Sequence, residues 1–206
     1  HIHVSKNAVN RTQLHKLLWF IYECPEFIKK IAQRDSNYGK TTWRSIIGSS
    51  YEDVPFKDRR RRVAKICKAK FSSVADRYTA VNLQPENTIE FRIFNGTLNI
   101  MTLSKAIEFI HSLLSYCSQS SFKDIVNRKS ESVRVEGYLK FLSENQKRYT
   151  NLCLFLDTEL LELSKRKRTK YFGDSKSRLG RKLLTEGLAS NRNGNSFHED
   201  VKGLIL

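Results

Sequence analysis

The chain has 206 residues, a hydrophobic fraction of 39% and a formal net charge of +16 at pH 7. This composition excludes global disorder and is sufficient for one packed domain, with or without an appendage. No apolar run approaches the roughly 18 residues of a membrane span, and the sequence shows no signal peptide, so we expect a cytoplasmic protein. The positive charge favours an acidic partner such as nucleic acid, but it does not indicate a fold.

The cysteines are far apart in the sequence, at Cys24, Cys67, Cys117 and Cys153. They form no C-x-x-C pair and no cluster with histidine, so neither a zinc site nor a disulfide framework is expected. We interpret them as reduced and mostly buried thiols. The sequence opens at His1 without a methionine and within a strand-like pattern, which predicts a fragment or a processed product.

The first elements alternate strand and helix patterns. Residues 1–5 alternate polar and apolar side chains, as a half-buried strand does. Helical spacing predicts a helix over about 9–23, closed by Pro25, which suits the first turn of a second helix through Ile31. Residues 35–56 are polar and mixed, and we expect a loop with at most one short strand near Trp43.

Four consecutive arginines, Arg59–Arg62, precede a short apolar pattern. A solvated helix face and a phosphate-contacting patch both fit this run, and the residues alone leave the choice open.

Two strand patterns then follow each other closely. They cover residues 77–83 and 88–94, and a link of hairpin length that contains Pro85 separates them. Antiparallel pairing is therefore predicted. The second strand ends at Asn95-Gly96, which is a strong turn signal.

The second half of the chain has helical patterns. Residues 102–117 give the clearest helix, with one apolar stripe along its length. After a polar break, 131–146 and 149–163 are predicted to be helices, and basic residues extend over Lys165–Lys182.

The predicted fold class is α+β. An antiparallel sheet would carry the functional site, with helices on its other face and a helical region at the C-terminus. We predict a catalytic unit over 1–118, a basic helical region over 119–188 and a flexible tail over 189–206.

The strands predict an unusual polar face. Residues two apart on a strand share a face, so His1 and His3 lie together, as do Glu90 and Arg92. Imidazole and carboxylate groups bind divalent metals, and arginine offers a planar set of donors to phosphate. A salt bridge between Glu90 and Arg92 on a solvated face remains the simpler alternative.

The stretch RYTAVNLQPENTIEFRIFNGTLN, from Arg77 to Asn99, resembles the signature of the amidoligase family. The opening HIHVSK resembles the upstream G-x-H-[IV]-H-[IV]-S strand of that family, and the similar layout covers about 1–118. Arg34, in QRDSNYGK, resembles an R-x-x-x-Y element of the family, although the neighbouring Lys40 is expected to be solvated.

Amidoligases resemble glutamine synthetase and glutamate–cysteine ligase in their catalytic sheet, and this resemblance implies roles for particular residues. His1 and Glu90 would bind a metal ion, and His3 would approach the nucleotide phosphates. Arg77 and Arg92 would hold phosphate or the carboxylate that is activated. The segment Asn95, Gly96 and Thr97 would form a loop beside the substrate.

The resemblance implies an ATP- and Mg²⁺-dependent (or Mn²⁺-dependent) ligase that joins a peptide or protein carboxylate to an amine through an acyl phosphate. Many members of the family come from phages and mobile elements, although this chain has no such marker. The acidic strand pair that the family has upstream of H-x-H is not in this sequence. An inactive scaffold that binds a protein therefore stays open. The net charge of +16 leaves a second alternative, a basic nucleic-acid-binding protein that uses Arg59–Arg62 and Lys165–Lys182.

Overall fold

The computed structural model describes residues 1–34, 39, 41–48, 54–72, 78–127 and 130–158. It confirms the predicted α+β class, because a small antiparallel sheet is combined with a larger helical part. In chain order the elements are β1 (Ile2–Ser5), α1 (Arg11–Glu23), α2 (Pro25–Ala32), α3 (Arg44–Ile47), α4 (Phe56–Ala69), β2 (Val81–Asn82), β3 (Thr88–Phe91), α5 (Ile100–Gln119), α6 (Phe122–Val126), α7 (Glu131–Glu144) and α8 (150–158).

The sheet has the strand order β1-β3-β2, and β3 pairs antiparallel with both neighbours. The predicted hairpin between β2 and β3 is therefore confirmed, although both strands are shorter than the sequence pattern. The strand β3 ends at Phe91, but the next backbone N–H, that of Arg92, still donates to the Ala80 carbonyl at 2.9 Å. Pairing thus continues one residue beyond the regular ladder.

The two faces of the sheet differ as the alternation predicts. In β1, Ile2 and Val4 pack against the core whereas His3 is exposed. In β3, Ile89 and Phe91 are fully buried in the same core. The apolar side chains therefore lie towards the helices, and the polar side chains line the opposite face.

The helix α1 is the centre of the helical part and packs against α4, α5 and α6. It begins at a capping box, in which the side chains of Asn10 and Gln13 each accept a hydrogen bond from the other residue's backbone N–H. Its side chains from Leu14 to Tyr22 are buried. The Tyr22 hydroxyl lies 2.8 Å from the Thr79 hydroxyl, which connects the helix to the segment before β2.

Two local predictions are wrong. A short helix, α3, follows Trp43 where a strand was considered, and the indole of Trp43 is buried against α1. The predicted apolar stripe of α5 is only partly buried, because its inner face is centred on Phe109. Leu103 and Ile107 are 41% and 51% exposed.

A buried ion cluster joins three helices. The Glu23 carboxylate lies 3.5 Å from an Arg59 nitrogen and 3.6 Å from an Arg134 nitrogen, and it accepts a 2.9 Å hydrogen bond from the Trp43 indole. Since Arg134 lies in α7, this cluster and the apolar core, which includes Tyr138, connect α7 to the first half of the chain. The boundary at residue 118 stays a prediction.

The cysteines are all buried free thiols, as expected. Burial raises the pKa of Cys67 and of Cys117 to about 12 and that of Cys153 to about 11, and it also raises the pKa of Cys24. Among the described residues, no helix combines the length and apolarity that crossing a membrane requires.

Candidate active site

The site is built around Glu90, which lies in the central strand of the sheet. The strand register places Glu90 directly opposite His3 on one side and Asn82 on the other. Glu90 is only 5% exposed although it is on the polar face, because its neighbours cover it. A buried carboxylate needs partners for its charge, and these partners define the site.

The two oxygens of Glu90 have different neighbours. Oε2 accepts a 2.7 Å hydrogen bond from the Asn82 side chain and lies 3.0 Å from Nη2 of Arg92. Oε1 lies 2.6 Å from Nδ1 of His1 and 3.9 Å from Nε2 of His3. One oxygen is therefore held by the amide and the guanidinium, and the other faces two imidazoles.

The surroundings keep Glu90 ionised. Burial by itself raises the pKa of this carboxyl. The hydrogen bonds from Asn82 and Arg92, together with the positive charge of Arg92 and a smaller effect of His3, outweigh burial and lower the pKa below its usual value. At neutral pH the site therefore presents a carboxylate.

His1, His3 and Glu90 could hold a metal ion. Each residue offers one ligand atom, and the three atoms lie within 4.8 Å of one another. In the part of the chain that the structure describes, no other three histidine, cysteine, aspartate or glutamate side chains are grouped in this way. Two imidazoles and a carboxylate fit a divalent ion by their donor chemistry.

Two residues that follow α2, Arg34 and Gly39, contact the backbone of Arg92. Nη1 of Arg34 donates to the carbonyls of Arg92 and Phe94 at 3.0 and 3.1 Å. Gly39 has a φ of +71°, and a Cβ at that position would lie 2.9 Å from the Arg92 carbonyl oxygen. Glycine therefore permits the close approach, and Arg34 positions the strand end that carries Arg92.

Comparison with models of protein families identifies a family for this chain. Residues 1–114 match the family model described as "Putative amidoligase enzyme". The chain belongs to this amidoligase family. Comparisons with curated proteins and with solved structures gave no match. The family membership supports a ligase function, and the match includes every described element of the site.

The candidate site brings together most of the residues that the sequence singled out. His1, His3, Glu90 and Arg92 meet around one carboxylate, within 4 Å of its oxygens. Arg77 lies outside the described residues, so its role stays a prediction.

The predicted substrate loop lies at the exit of β3. Asn95 and Gly96 are exposed, and no atom lies within 4 Å of a Cβ placed on Gly96. The Thr97 hydroxyl accepts a hydrogen bond from the backbone N–H of Asn99, and Asn99 in turn caps α5. Thr97 therefore shapes the turn, and its role in substrate binding stays a prediction.

Sequence reasoning missed Asn82 as a site residue. It lies within the stretch from Arg77 to Asn99 that resembles the family signature, but nothing in that stretch pairs it with Glu90. Once β2 and β3 are predicted to form a hairpin, a cross-strand polar pair is the signal that would have identified it.

Proposed function

We propose that this chain carries the metal- and phosphate-binding face of an ATP-dependent ligase, which joins a carboxylate to an amine through an acyl phosphate. The supporting observation is the grouping of His1, His3, Asn82 and Arg92 around the ionised Glu90, in a chain of the amidoligase family. The cofactors of the proposal are ATP and Mg²⁺ or Mn²⁺. The substrates are a peptide or protein carboxylate and an amine.

Each group of the polar face has a role in the proposal. His1 Nδ1 and Glu90 Oε1 would hold a divalent ion, since they face each other and Oε2 is already held by Asn82. Such an ion, when bound, neutralises charge on a phosphoryl group. Arg92 and the undescribed Arg77 would hold phosphate or the substrate carboxylate, because guanidinium groups bind both in a forked geometry.

The reaction places few demands on the protein. A carboxylate oxygen of the substrate attacks the terminal phosphorus of ATP and releases ADP, and the amine nitrogen then attacks the acyl carbon and releases phosphate and a proton. No protein nucleophile is needed, and the raised pKa values of the buried cysteines agree with this. The protein has to position its cationic groups where charge develops.

The test compares Glu90→Gln with the matched control Glu86→Gln in the full chain. Both changes remove one negative charge, but Glu86 is exposed in the turn before β3. Hydroxylamine serves as a general amine, since it converts an acyl phosphate into a hydroxamate, which forms a coloured complex with ferric ion. Peptides that contain Glu or Asp serve as the acid. ADP release and hydroxamate formation are measured with Mg²⁺ and with Mn²⁺.

We expect Glu90→Gln to lower the rate by at least about 100-fold, as the loss of one positioned electrostatic group does, and Glu86→Gln to retain the parent rate. Equal rates for the two variants would contradict the role of Glu90. A chain that binds neither ATP nor a divalent ion would instead support the inactive, protein-binding scaffold.

A second candidate function is the binding of an acidic partner, such as nucleic acid, along α4. The run Arg59–Arg62 does not present four free cations, because Arg59 is buried between the rings of Trp19 and Trp43 and Arg60 lies over Phe122. The exposed cations of α4 form a different set. They are Lys57, Arg61, Arg62, Lys65 and Lys68.

Four of them, Lys57, Arg61, Lys65 and Lys68, lie within one face, because their spacing of four, four and three residues follows the helical period. The Lys165–Lys182 segment lies outside the described residues and stays a prediction. A gel shift with double-stranded DNA at two salt concentrations tests the proposal. Reversing the charges of Arg61 and Lys65 should weaken binding and reduce its salt dependence. No shift at low salt would exclude double-stranded DNA as the partner.

A further inference from the structure

The position of His3 gives the site a third metal ligand. We propose that His3 binds the metal ion through Nε2, that Thr88 positions it, and that the resulting two-imidazole, one-carboxylate set takes a transition-metal ion in preference to Mg²⁺. The resemblance assigns His3 to the nucleotide phosphates and names no role for Thr88. The inference deepens the proposed function, because it concerns the same site, but it is tested by metal binding alone.

The first step of the argument is the distance between His3 and Glu90. Nε2 of His3 lies 3.9 Å from Oε1 of Glu90, which is too long for a hydrogen bond. Two donors at ordinary metal–ligand distances of about 2.1 Å lie roughly 3–4.2 Å apart on a shared ion. The separation therefore fits two ligands of one metal better than it fits direct pairing.

The second step is the orientation of the His3 ring. Its Nδ1 lies 3.2 Å from the Thr88 hydroxyl oxygen. When Nδ1 carries the proton and donates to Thr88, Nε2 has a free lone pair that faces Glu90. Metal-binding histidines usually hold their second ring nitrogen in this way, since it fixes both the tautomer and the ring plane.

The third step is the fixed position of the carboxylate. Asn82 and Arg92 hold Oε2, so Oε1 is left to the two imidazoles. The ligands come from two neighbouring strands, and the third strand supplies Asn82. The His1–Glu90 contact of 2.6 Å has to widen by a few tenths of an ångström when both groups bind one ion.

The fourth step is the choice of ion. Mg²⁺ prefers an octahedral shell of oxygen atoms and gives up its water reluctantly. Imidazole nitrogens suit Zn²⁺, Fe²⁺ and related ions, and two histidines with one carboxylate leave open coordination positions for a substrate oxygen. His1, His3 and Glu90 provide two nitrogens and one oxygen, so direct coordination favours the transition-metal ion.

Metal affinity is measured without ATP or substrate, with Co²⁺ and Mg²⁺ as the probes. Calorimetry gives the affinities, and the visible spectrum of Co²⁺ reports nitrogen coordination. We expect Co²⁺ to bind at least about 100-fold more tightly than Mg²⁺. The variants are His3→Ala, Glu90→Gln, Thr88→Val and Thr88→Ser, with His111→Ala as the control because His111 lies in α5, outside the site.

His3→Ala and Glu90→Gln should each lower Co²⁺ affinity by about 10–100-fold, and Thr88→Val should do so by about 10-fold. Thr88→Ser should restore the affinity because it keeps the hydroxyl, and His111→Ala should leave it unchanged. Thermal melting of each variant separates lost binding from lost folding.

Two results would overturn the inference. One is a His3→Ala protein that is folded, keeps its Co²⁺ affinity and binds ATP more weakly. This result would indicate that His3 contacts the nucleotide phosphates and does not bind the metal ion. The other is equal affinity for Co²⁺ and Mg²⁺. If the chain binds Co²⁺ as expected but forms no hydroxamate, the ligase proposal fails and the metal site stands.

Discussion

Acidification should destabilise the protein through His15, a buried histidine of α1. His15 is 7% exposed, its ring packs at 4.9 Å from the ring of Phe122 in α6, and its Nε2 has no hydrogen-bond partner. Burial, with a smaller effect of the Arg60 charge, lowers the pKa of His15 to about 4. The neutral ring is therefore the form that fits the core.

The sign and size of the effect follow from proton linkage. The folded pKa of His15 lies below the unfolded value of about 6.5, so the unfolded chain binds more protons between these limits. The free energy of unfolding is therefore complete above pH 6.5 and decreases as the pH falls towards 4. Between pH 7.5 and pH 5 the expected loss is about 2 kcal/mol.

Urea denaturation at pH 7.5 and pH 5 measures this loss, and His15→Phe is the variant, because phenylalanine keeps the ring contacts but takes up no proton. The parent protein should lose about 2 kcal/mol more than the variant. Partial desolvation raises the pKa values of Glu131 and Asp157, which opposes the His15 effect, but both residues are present in both proteins and cancel in the difference. Equal losses in the two proteins would refute the reasoning.

Three further predictions concern positions that support the fold or the site. Glu23→Gln removes the charge that two buried arginines share, so it should lower the free energy of unfolding by about 3 kcal/mol. The control Glu26→Gln, at an exposed position, should change this free energy little. Similar urea midpoints for the two variants would contradict the prediction. Asn82→Ala removes a hydrogen bond to the carboxylate of Glu90. Calorimetry should show weaker Co²⁺ binding, and urea denaturation should show a stability loss of about 1.5–3 kcal/mol. An unchanged Co²⁺ affinity and an unchanged free energy of unfolding would show that Asn82 does not hold Glu90 in place. Gly39→Ala places a Cβ on a residue with positive φ and close to the Arg92 carbonyl oxygen, so it should lower the melting temperature. A higher melting temperature would contradict this prediction.

The elements that the sequence predicted well are those set by local patterns. The alternation in residues 1–5 and 88–94 was sufficient to put His1 with His3, and Glu90 with Arg92, on the polar face of each strand, because side-chain direction on a strand depends only on parity. The helix α5 was also predicted, since the apolar spacing is regular over 102–117, and the structure extends the helix to Ile100–Gln119. In each case neighbouring residues carry the whole signal.

The elements that were missed depend on contacts between distant segments. Asn82 belongs to the site because β2 and β3 align it with Glu90, and alternation does not fix this register. The arginine run could not be divided into buried and exposed members, because Arg59 is held by aromatic rings from other elements. A run of like charges hides such differences until the tertiary packing is known.

The site exists only if β1 keeps its register against β3, because a shift by one residue would turn His1 and His3 to the apolar face. Contacts just beyond the strand end hold this register. The Lys6 backbone N–H donates to the Asn87 carbonyl, and the buried Lys6 ammonium donates to the Leu83 carbonyl, both at 2.9 Å. Lys6 touches none of the candidate ligands, yet it joins the end of β1 to the link between β2 and β3. The geometry around Glu90 is therefore fixed partly by Lys6, a residue outside the site. Burial and the nearby charge of Lys70 lower the pKa of Lys6 in this position.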